Sequence, residues 1–266
     1  MTQGDGTFPS PLCIERKEEH TMSIAENVKA VRRQLATAAL AAGRDPSQIQ
    51  LCAATKMNDA AAVREAIAAG ITLCGENRVQ ELTQKLAQNA YEGAQVHFIG
   101  RLQTNKVKQV VGKVALIQSV DRQKLLDALQ AEAARQGIIQ DILLEVNIGQ
   151  EESKGGFSPE EILQIVENMS YFSNLRVKGL MAIPPIPQNS GDNLKFFQEM
   201  CNLSVDIMTK KSDNVSMEIL SMGMSGDFAD AIACGSTMVR VGTAIFGPRT
   251  VAAPIHNDVN IQEDTK

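Results

Sequence analysis

The sequence predicts an α/β fold: a single parallel (β/α)8 barrel of the TIM type, with an extra N-terminal helix ahead of the first strand. Three observations predict it. Eight short apolar runs alternate with helical segments, which implies parallel strands joined by right-handed crossovers. The even spacing of the eight units favours a closed barrel, and 266 residues suit an architecture that commonly takes ~250 residues as one unit. A Gly-x-Gly-x-x-Gly fingerprint is missing after the first strand, which weighs against a dinucleotide-binding open sheet.

The elements follow in order from Ser23. Ser23 and Glu26 have capping-box spacing, and Ile24, Val28, Val31 and Leu35 share one face of a helix Ser23–Ala42 that Gly43 closes. Strand Ile49–Thr55 comes next. Helix Asp59–Ala69 turns Val63 and Ile67 inward and stops at Gly70. Strand Ile71–Cys74 leads to helix Arg78–Gln88, with Val79, Leu82 and Leu86 buried. Strand Val96–Ile99 precedes a helix from about Gln103. Strand Ala115–Ser119 leads to a helix capped by Asp121, carrying Leu125, Leu126 and Leu129 and ending at Gly137. Strand Asp141–Asn147 opens into a polar loop, Gly149–Gly156. Ser158-Pro159-Glu160-Glu161 then starts a helix, with Pro at the first position and Glu at the third. Strand Arg176–Met181 ends in the proline-rich loop Pro184–Ser190, and a helix from Asp192 stacks Phe196, Met200, Leu203 and Ile207. Strand Glu218–Ser221, the turn Met222–Gly226, a short helix Asp227–Ala233 and strand Thr237–Val241 complete the count.

This divides the chain into a flexible N-terminal extension (1–22), a barrel domain (23–250) and a flexible C-terminal tail (251–266). Residues 1–22 mix turn formers with a charge run and have no period. Met22 stands directly before the capping box and is the expected native start, which intact-mass measurement of native protein tests.

Composition narrows the function. A net charge of −5 implies no broad basic surface, against a nucleic-acid partner. No apolar run approaches the ~20 residues of a membrane span. The five cysteines are scattered, without a CxxC pair or metal-ligand spacing. They read as reduced thiols in a cytoplasmic protein, and the polar N-terminus does not read as a secretory signal. No long apolar surface stripe is left over, consistent with a monomer.

In a barrel, function sits where strands end. Lys56 ends the first strand after Leu51-Cys52-Ala53-Ala54-Thr55, a run with no other charge. Position alone leaves two readings open: a desolvated amine that attacks aldehydes, or an ammonium snorkelling to water at a strand exit. The Ser221–Gly226 turn and Gly242-Thr243 follow strands seven and eight, where barrels bind phosphate through backbone N–H groups, although a plain Gly/Ser loop would look the same. Arg240 on strand eight either faces a pyridine nitrogen or pairs with a carboxylate. His97, on an apolar strand, is read as a hydrogen-bonded core residue more readily than as a catalyst. A strand-one lysine and a phosphate-type loop on one face together suit a phosphorylated aldehyde.

Several motifs in one register carry a resemblance: Thr55-Lys56; Gly75-Glu76-Asn77-Arg78-Val79-Gln80-Glu81; His97-Phe98-Ile99-Gly100-Arg101-Leu102-Gln103-Thr104-Asn105-Lys106; Ser119-Val120-Asp121; Val146-Asn147 with Lys154-Gly155-Gly156; Gly179-Leu180-Met181; Ser221-Met222-Gly223-Met224-Ser225; and Val239 to Gly247. From about Met22 to Arg249 the chain resembles the pyridoxal-phosphate homeostasis proteins (the YggS/PROSC type), whose barrel is like the N-terminal domain of alanine racemase. The resemblance implies pyridoxal 5′-phosphate as cofactor, held as a Schiff base on Lys56. It places Asn77 near the ring, Ser221, Gly242 and Thr243 in a phosphate cup with Met222 and Ser225 close by, and Arg240 facing the pyridine nitrogen. Val96 departs from it, standing where an aromatic residue is frequent.

The resemblance implies a carrier or buffer of the cofactor, not a catalyst. A racemase needs a second base on the opposite face of the ring, and the tail after Arg249 is too short for the domain that would bring one. The alternatives are a single-domain enzyme such as an amino-acid racemase, or a barrel for another phosphorylated metabolite. Apoenzymes that use the cofactor, or a regulatory protein, stand as candidate partners.

Overall fold

A computed structural model describes residues 22–151, 155–189, 191–210 and 212–247. Eight strands form: β1 (Gln50–Ala54), β2 (Leu73–Glu76), β3 (Gln95–Phe98), β4 (Leu116–Val120), β5 (Gln140–Val146), β6 (Leu175–Ala182), β7 (Val215–Ser221) and β8 (Met238–Val241). They close in chain order into an all-parallel barrel, with β1 paired to both β2 and β8. The single (β/α)8 barrel read from the sequence is therefore the fold. The helices are α1 (Ile24–Ala41), α2 (Ala60–Ala68), α3 (Val79–Ala87), α4 (Gln123–Gln136), α5 (Pro159–Glu167), α6 (Leu194–Met208), α7 (Phe228–Ala233) and α8 (Thr243–Phe246).

Parallel strands buried on both faces must be apolar throughout, which is why they read as continuous runs. On β5, Ile142, Leu144 and Val146 pack outward into the main core under the helices. Leu143 points inward against Leu116 and Met181. Cys52, Leu73, Ile99 and Met238 fill a second interior layer. α8 is only four residues long, and α1 packs over the gap it leaves, against α2, α7 and α8. Asn27 on α1 donates to the Ile245 carbonyl at 3.0 Å, tying the extra helix to that corner.

The capping boxes at Ser23/Glu26 and Ser158/Glu161 both form, and Gly137 closes α4 in the left-handed conformation. Five details differ from the sequence expectation. β2 extends through Glu76, a buried carboxylate that the strand can hold because four donors meet it. α3 buries Val79, Leu82 and Lys85, with Leu86 only half-buried. On α6 the fully buried aromatic is Phe197, while Phe196 packs against the core only half-buried. Thr104–Gln109 is a 3-10 turn rather than an α-helix; β-branched Val107, Val110 and Val111 are buried there and Gly112 turns the chain at φ +75°. Asp121 does not cap α4, because Arg122 and Arg101 engage its carboxylate. The expectations for residues 1–21, for Lys154 and for the C-terminal tail lie outside the described residues.

Candidate functional site

A cavity of about 390 Å³ opens at the C-terminal mouth, between the ends of β1, β2, β7 and β8. Six of the eight residues singled out from the sequence line it: Lys56, Asn77, Ser225, Arg240, Gly242 and Thr243. Met57, Asn58, Ile99, Ile183, Met224 and Phe246 complete much of the wall. The structure does not bring Ser221 and Met222 to that wall. Ser221 is fully buried, its hydroxyl turned into the barrel interior, and Met222 packs into the main core. Met224, two residues on, faces the cavity instead.

Lys56 is half-buried two residues past the end of β1, and Asn58 Nδ2 donates to its carbonyl at 3.0 Å. Asn77 follows β2. Its Oδ1 is buried and has no hydrogen-bond partner among the described residues. A buried acceptor left unmet costs free energy, so this atom asks for a donor from whatever fills the space. Gly100 lets β3 run close beside it: a Cβ there would sit 2.1 Å from the Asn77 carbonyl oxygen.

The rim after β7 is held from behind. Asp227 accepts from the Met224 N–H at 2.7 Å and from Asn193 Nδ2 at 2.8 Å. Gly223 has φ +90°, and a Cβ there would approach Ala231 Cβ to 2.6 Å. With the loop so turned, the N–H groups of Ser225, Gly226, Gly242 and Thr243 donate to no described residue. That donor set matches an anion better than a cation.

Arg240 is buried at the cavity floor. Nη1 donates to the Ser221 carbonyl at 2.8 Å and to its Oγ at 2.6 Å; Nη2 donates to the Ala182 carbonyl at 2.8 Å. Among the described residues it forms no ion pair, so carboxylate pairing does not account for it. Burial lowers its pKa, opposed by Cys52 and by the Glu145 and Asp227 carboxylates.

Ser221 Oγ in turn donates to Gln118 Oε1 at 2.7 Å, and Gln118 Nε2 lies 2.9 Å from His97 Nδ1. With its oxygen occupied, Gln118 is the donor and His97 Nδ1 the acceptor. Burial pushes the His97 pKa down to about 4, so the ring is neutral. His97 is a core histidine here. Gln118 escaped the sequence reading, although a glutamine inside Leu116-Ile117-Gln118-Ser119 is the kind of polar interruption that marks an inward position. Glu145 is a second such interruption, its pKa raised to about 7 chiefly by burial and further by Asp121.

A second network, also missed, lies in the barrel wall behind Lys56. Glu76 Oε2 accepts from Lys85 Nζ at 2.7 Å, Tyr91 Oη at 2.9 Å and Thr55 Oγ1 at 3.0 Å, while Oε1 accepts from the Asn77 N–H at 3.0 Å. Burial, and then the Glu76 charge, raise the Tyr91 pKa and keep it a donor.

The model of the alanine racemase N-terminal domain matches residues 21–250. A pyridoxal phosphate homeostasis protein from Aquifex aeolicus is 41% identical over 228 residues, covering 86% of this chain and 99% of that protein. The chain belongs to the pyridoxal phosphate homeostasis protein family. Its member from Pseudomonas aeruginosa is 39% identical over 232 residues, 87% of this chain and 98% of that one. PipY of Synechococcus elongatus, solved with PLP bound, superposes with a TM-score of 0.74 at 31% identity, over 85% of this chain and all of that one. The alanine racemase of Streptomyces coelicolor shares the fold at 18% identity and a TM-score of 0.61; this chain spans 59% of it.

Proposed function

We propose that the chain binds pyridoxal 5′-phosphate in the mouth cavity, through the Lys56 amine, as a non-catalytic carrier in cytoplasmic homeostasis of that cofactor. The family membership and the PLP-bound relative support this reading. The observation that carries it is the convergence, in one cavity, of a lysine amine, an unmet buried acceptor, a rim of free N–H groups and a buried guanidinium. The cavity volume falls within the ~300–1,000 Å³ of small-molecule sites.

The residues fit the group. Ser225, Gly226, Gly242 and Thr243 would hold the phosphate through backbone N–H. Asn77 Oδ1 would accept a hydrogen bond from the ring's hydroxyl side. Arg240 would face the ring nitrogen, and, being an obligate cation, would hold that nitrogen unprotonated. When bound, the cofactor supplies an aldehyde for the Lys56 amine and a ring that withdraws electrons.

A carrier is favoured over a racemase by the wall itself. Among the described lining residues the ionisable groups are Lys56 and Arg240. Neither arginine nor an unprotonated ring helps a carbanion, and no lining His, Tyr, Cys or carboxylate offers a second base. Apoenzymes that use the cofactor are the recipients this reading implies. No helix among the described residues is long and apolar enough to cross a membrane.

Lys56→Ala is expected to remove the visible absorbance of the bound cofactor, and borohydride reduction of the wild-type protein to mark the Lys56 peptide. A full band in the variant would mean another amine is used. Racemisation assays with a panel of amino acids are expected to show no turnover, and robust turnover would favour the enzyme.

A further inference from the structure

Lys56 is gripped on both sides by one ion pair of α3. The Thr55 carbonyl, in the peptide plane before Lys56, accepts from Lys85 Nζ at 2.8 Å. The Met57 N–H, in the plane after it, donates to Glu81 Oε2 at 2.6 Å. Lys85 and Glu81 stand four residues apart on the helix, Nζ to Oε2 3.5 Å. Lys85 is itself fixed, buried against Glu76 at 2.7 Å.

The second grip acts at a position that does not hold its own shape. Met57 has φ +62° and is 58% exposed. A non-glycine residue in the left-handed region is unfavourable by itself and persists only where surrounding contacts impose it. The turn is closed by Asn58, whose N–H donates to the Thr55 carbonyl at 3.2 Å and whose Nδ2 donates to the Lys56 carbonyl at 3.0 Å, and from outside the turn the Glu81 carboxylate receives the Met57 N–H. Without it, the turn keeps its Asn58 hydrogen bonds but loses the anchor from α3 on the peptide plane that follows Lys56.

Glu76 extends the same frame to the other side of the cavity, because its Oε1 accepts from the Asn77 N–H. The amine and the unmet Asn77 acceptor are thus both referenced to one buried network behind the barrel wall.

We propose that the Glu81–Lys85 pair is the positioning element of the site: it fixes the backbone on both sides of Lys56 and thereby sets how fast the cofactor leaves. This rests on the reading that Lys56 holds pyridoxal 5′-phosphate. Glu81 does not itself line the cavity; it acts through the N–H of Met57, which does.

The test follows transfer of pyridoxal 5′-phosphate from loaded protein to an excess of an apoenzyme that uses it, read as regained apoenzyme activity. Glu81→Ala is expected to release about tenfold faster than wild type, while Glu81→Gln, whose amide oxygen can still accept from the Met57 N–H, stays within about twofold. A merely structural ion pair would give the opposite pattern, with both variants losing melting temperature alike and neither changing release. Wild-type release from Glu81→Ala, or equal acceleration in Ala and Gln, overturns the proposal. Residue-resolved amide exchange on the unmodified protein needs no variant: Met57 is expected to exchange slowly despite its exposure, and free exchange there overturns the grip. Lys56→Ala separates the two levels. If it keeps the band, the reading of the site has failed and amide exchange alone judges the grip. If it loses the band while Glu81→Ala behaves as wild type, only the positioning role has failed.

Discussion

Two buried polar networks reach the cavity, and they are built on opposite plans. The one in the barrel wall is a hub: Lys85, Tyr91, Thr55 and the Asn77 N–H all converge on the Glu76 carboxylate. The one inside the barrel is a chain, Arg240 to Ser221 to Gln118 to His97, with a side contact from Gln118 Nε2 to Met238 Sδ at 3.1 Å. The hub pairs one carboxylate with one ammonium, Glu76 with Lys85, and its other members are neutral. The chain has its charge at one end, in Arg240, and its direction follows from that. An arginine can only donate, so Ser221 accepts from it and donates onward, and His97 is left as the final acceptor. The comparison teaches that a hub fixes positions, because several backbones meet at one atom, whereas a chain fixes proton states, because every link inherits its polarity from the first.

The largest expected effect breaks the hub. Lys85→Met leaves the Glu76 charge buried without its cation and is expected to cost about 3–5 kcal/mol in urea unfolding. The double variant Glu76→Met/Lys85→Met removes both charges and should recover much of that loss, since well-packed apolar pairs often replace buried ion pairs at little cost. A double variant as unstable as the single would show that the pair itself, not the stranded charge, matters.

A smaller effect is expected from the chain. Ser221→Ala strips one partner each from Arg240 and Gln118 and should cost about 1–3 kcal/mol, the range for leaving a buried polar group unmet. It should also weaken cofactor affinity through Arg240, which fluorescence titration would measure. If affinity holds while stability falls, the chain supports the barrel without tuning the site.

The smallest effect sharpens the claim about proton states. Burial holds the His97 pKa near 4 against the ordinary 6.5. The folded state therefore binds fewer protons than the unfolded one between these values, and stability rises with pH across that window. His97 contributes fully above 6.5, and its contribution is lost as pH falls towards 4. In His97→Asn, where the amide oxygen can still accept from Gln118, melting temperature should fall less between pH 7 and pH 4.5 than in wild type. An unchanged slope would mean that His97 titrates in the folded barrel as it does in the unfolded chain.

What the sequence by itself determined is the barrel, its strand order and the face that carries the site. Parallel strands are buried on both sides, so they announce themselves as apolar runs, and Lys56, Asn77, Arg240 and Gly242-Thr243 stand out where such runs end. Periodicity also placed the caps at Ser23 and Ser158, because capping is a contact between residues three apart. It failed where a side chain's partner is remote. Ser221 looked like a phosphate donor until closure of the barrel set it against Gln118, 103 residues away, and turned its hydroxyl inward. Nothing in the local pattern marks Lys85 for burial; the strands β1 and β2 bring it a buried carboxylate and the Thr55 carbonyl. Local pattern reports whether a position is buried. Only the closed barrel decides which polar groups meet there, because a buried donor must find its acceptor across strands that the chain's own order does not bring together.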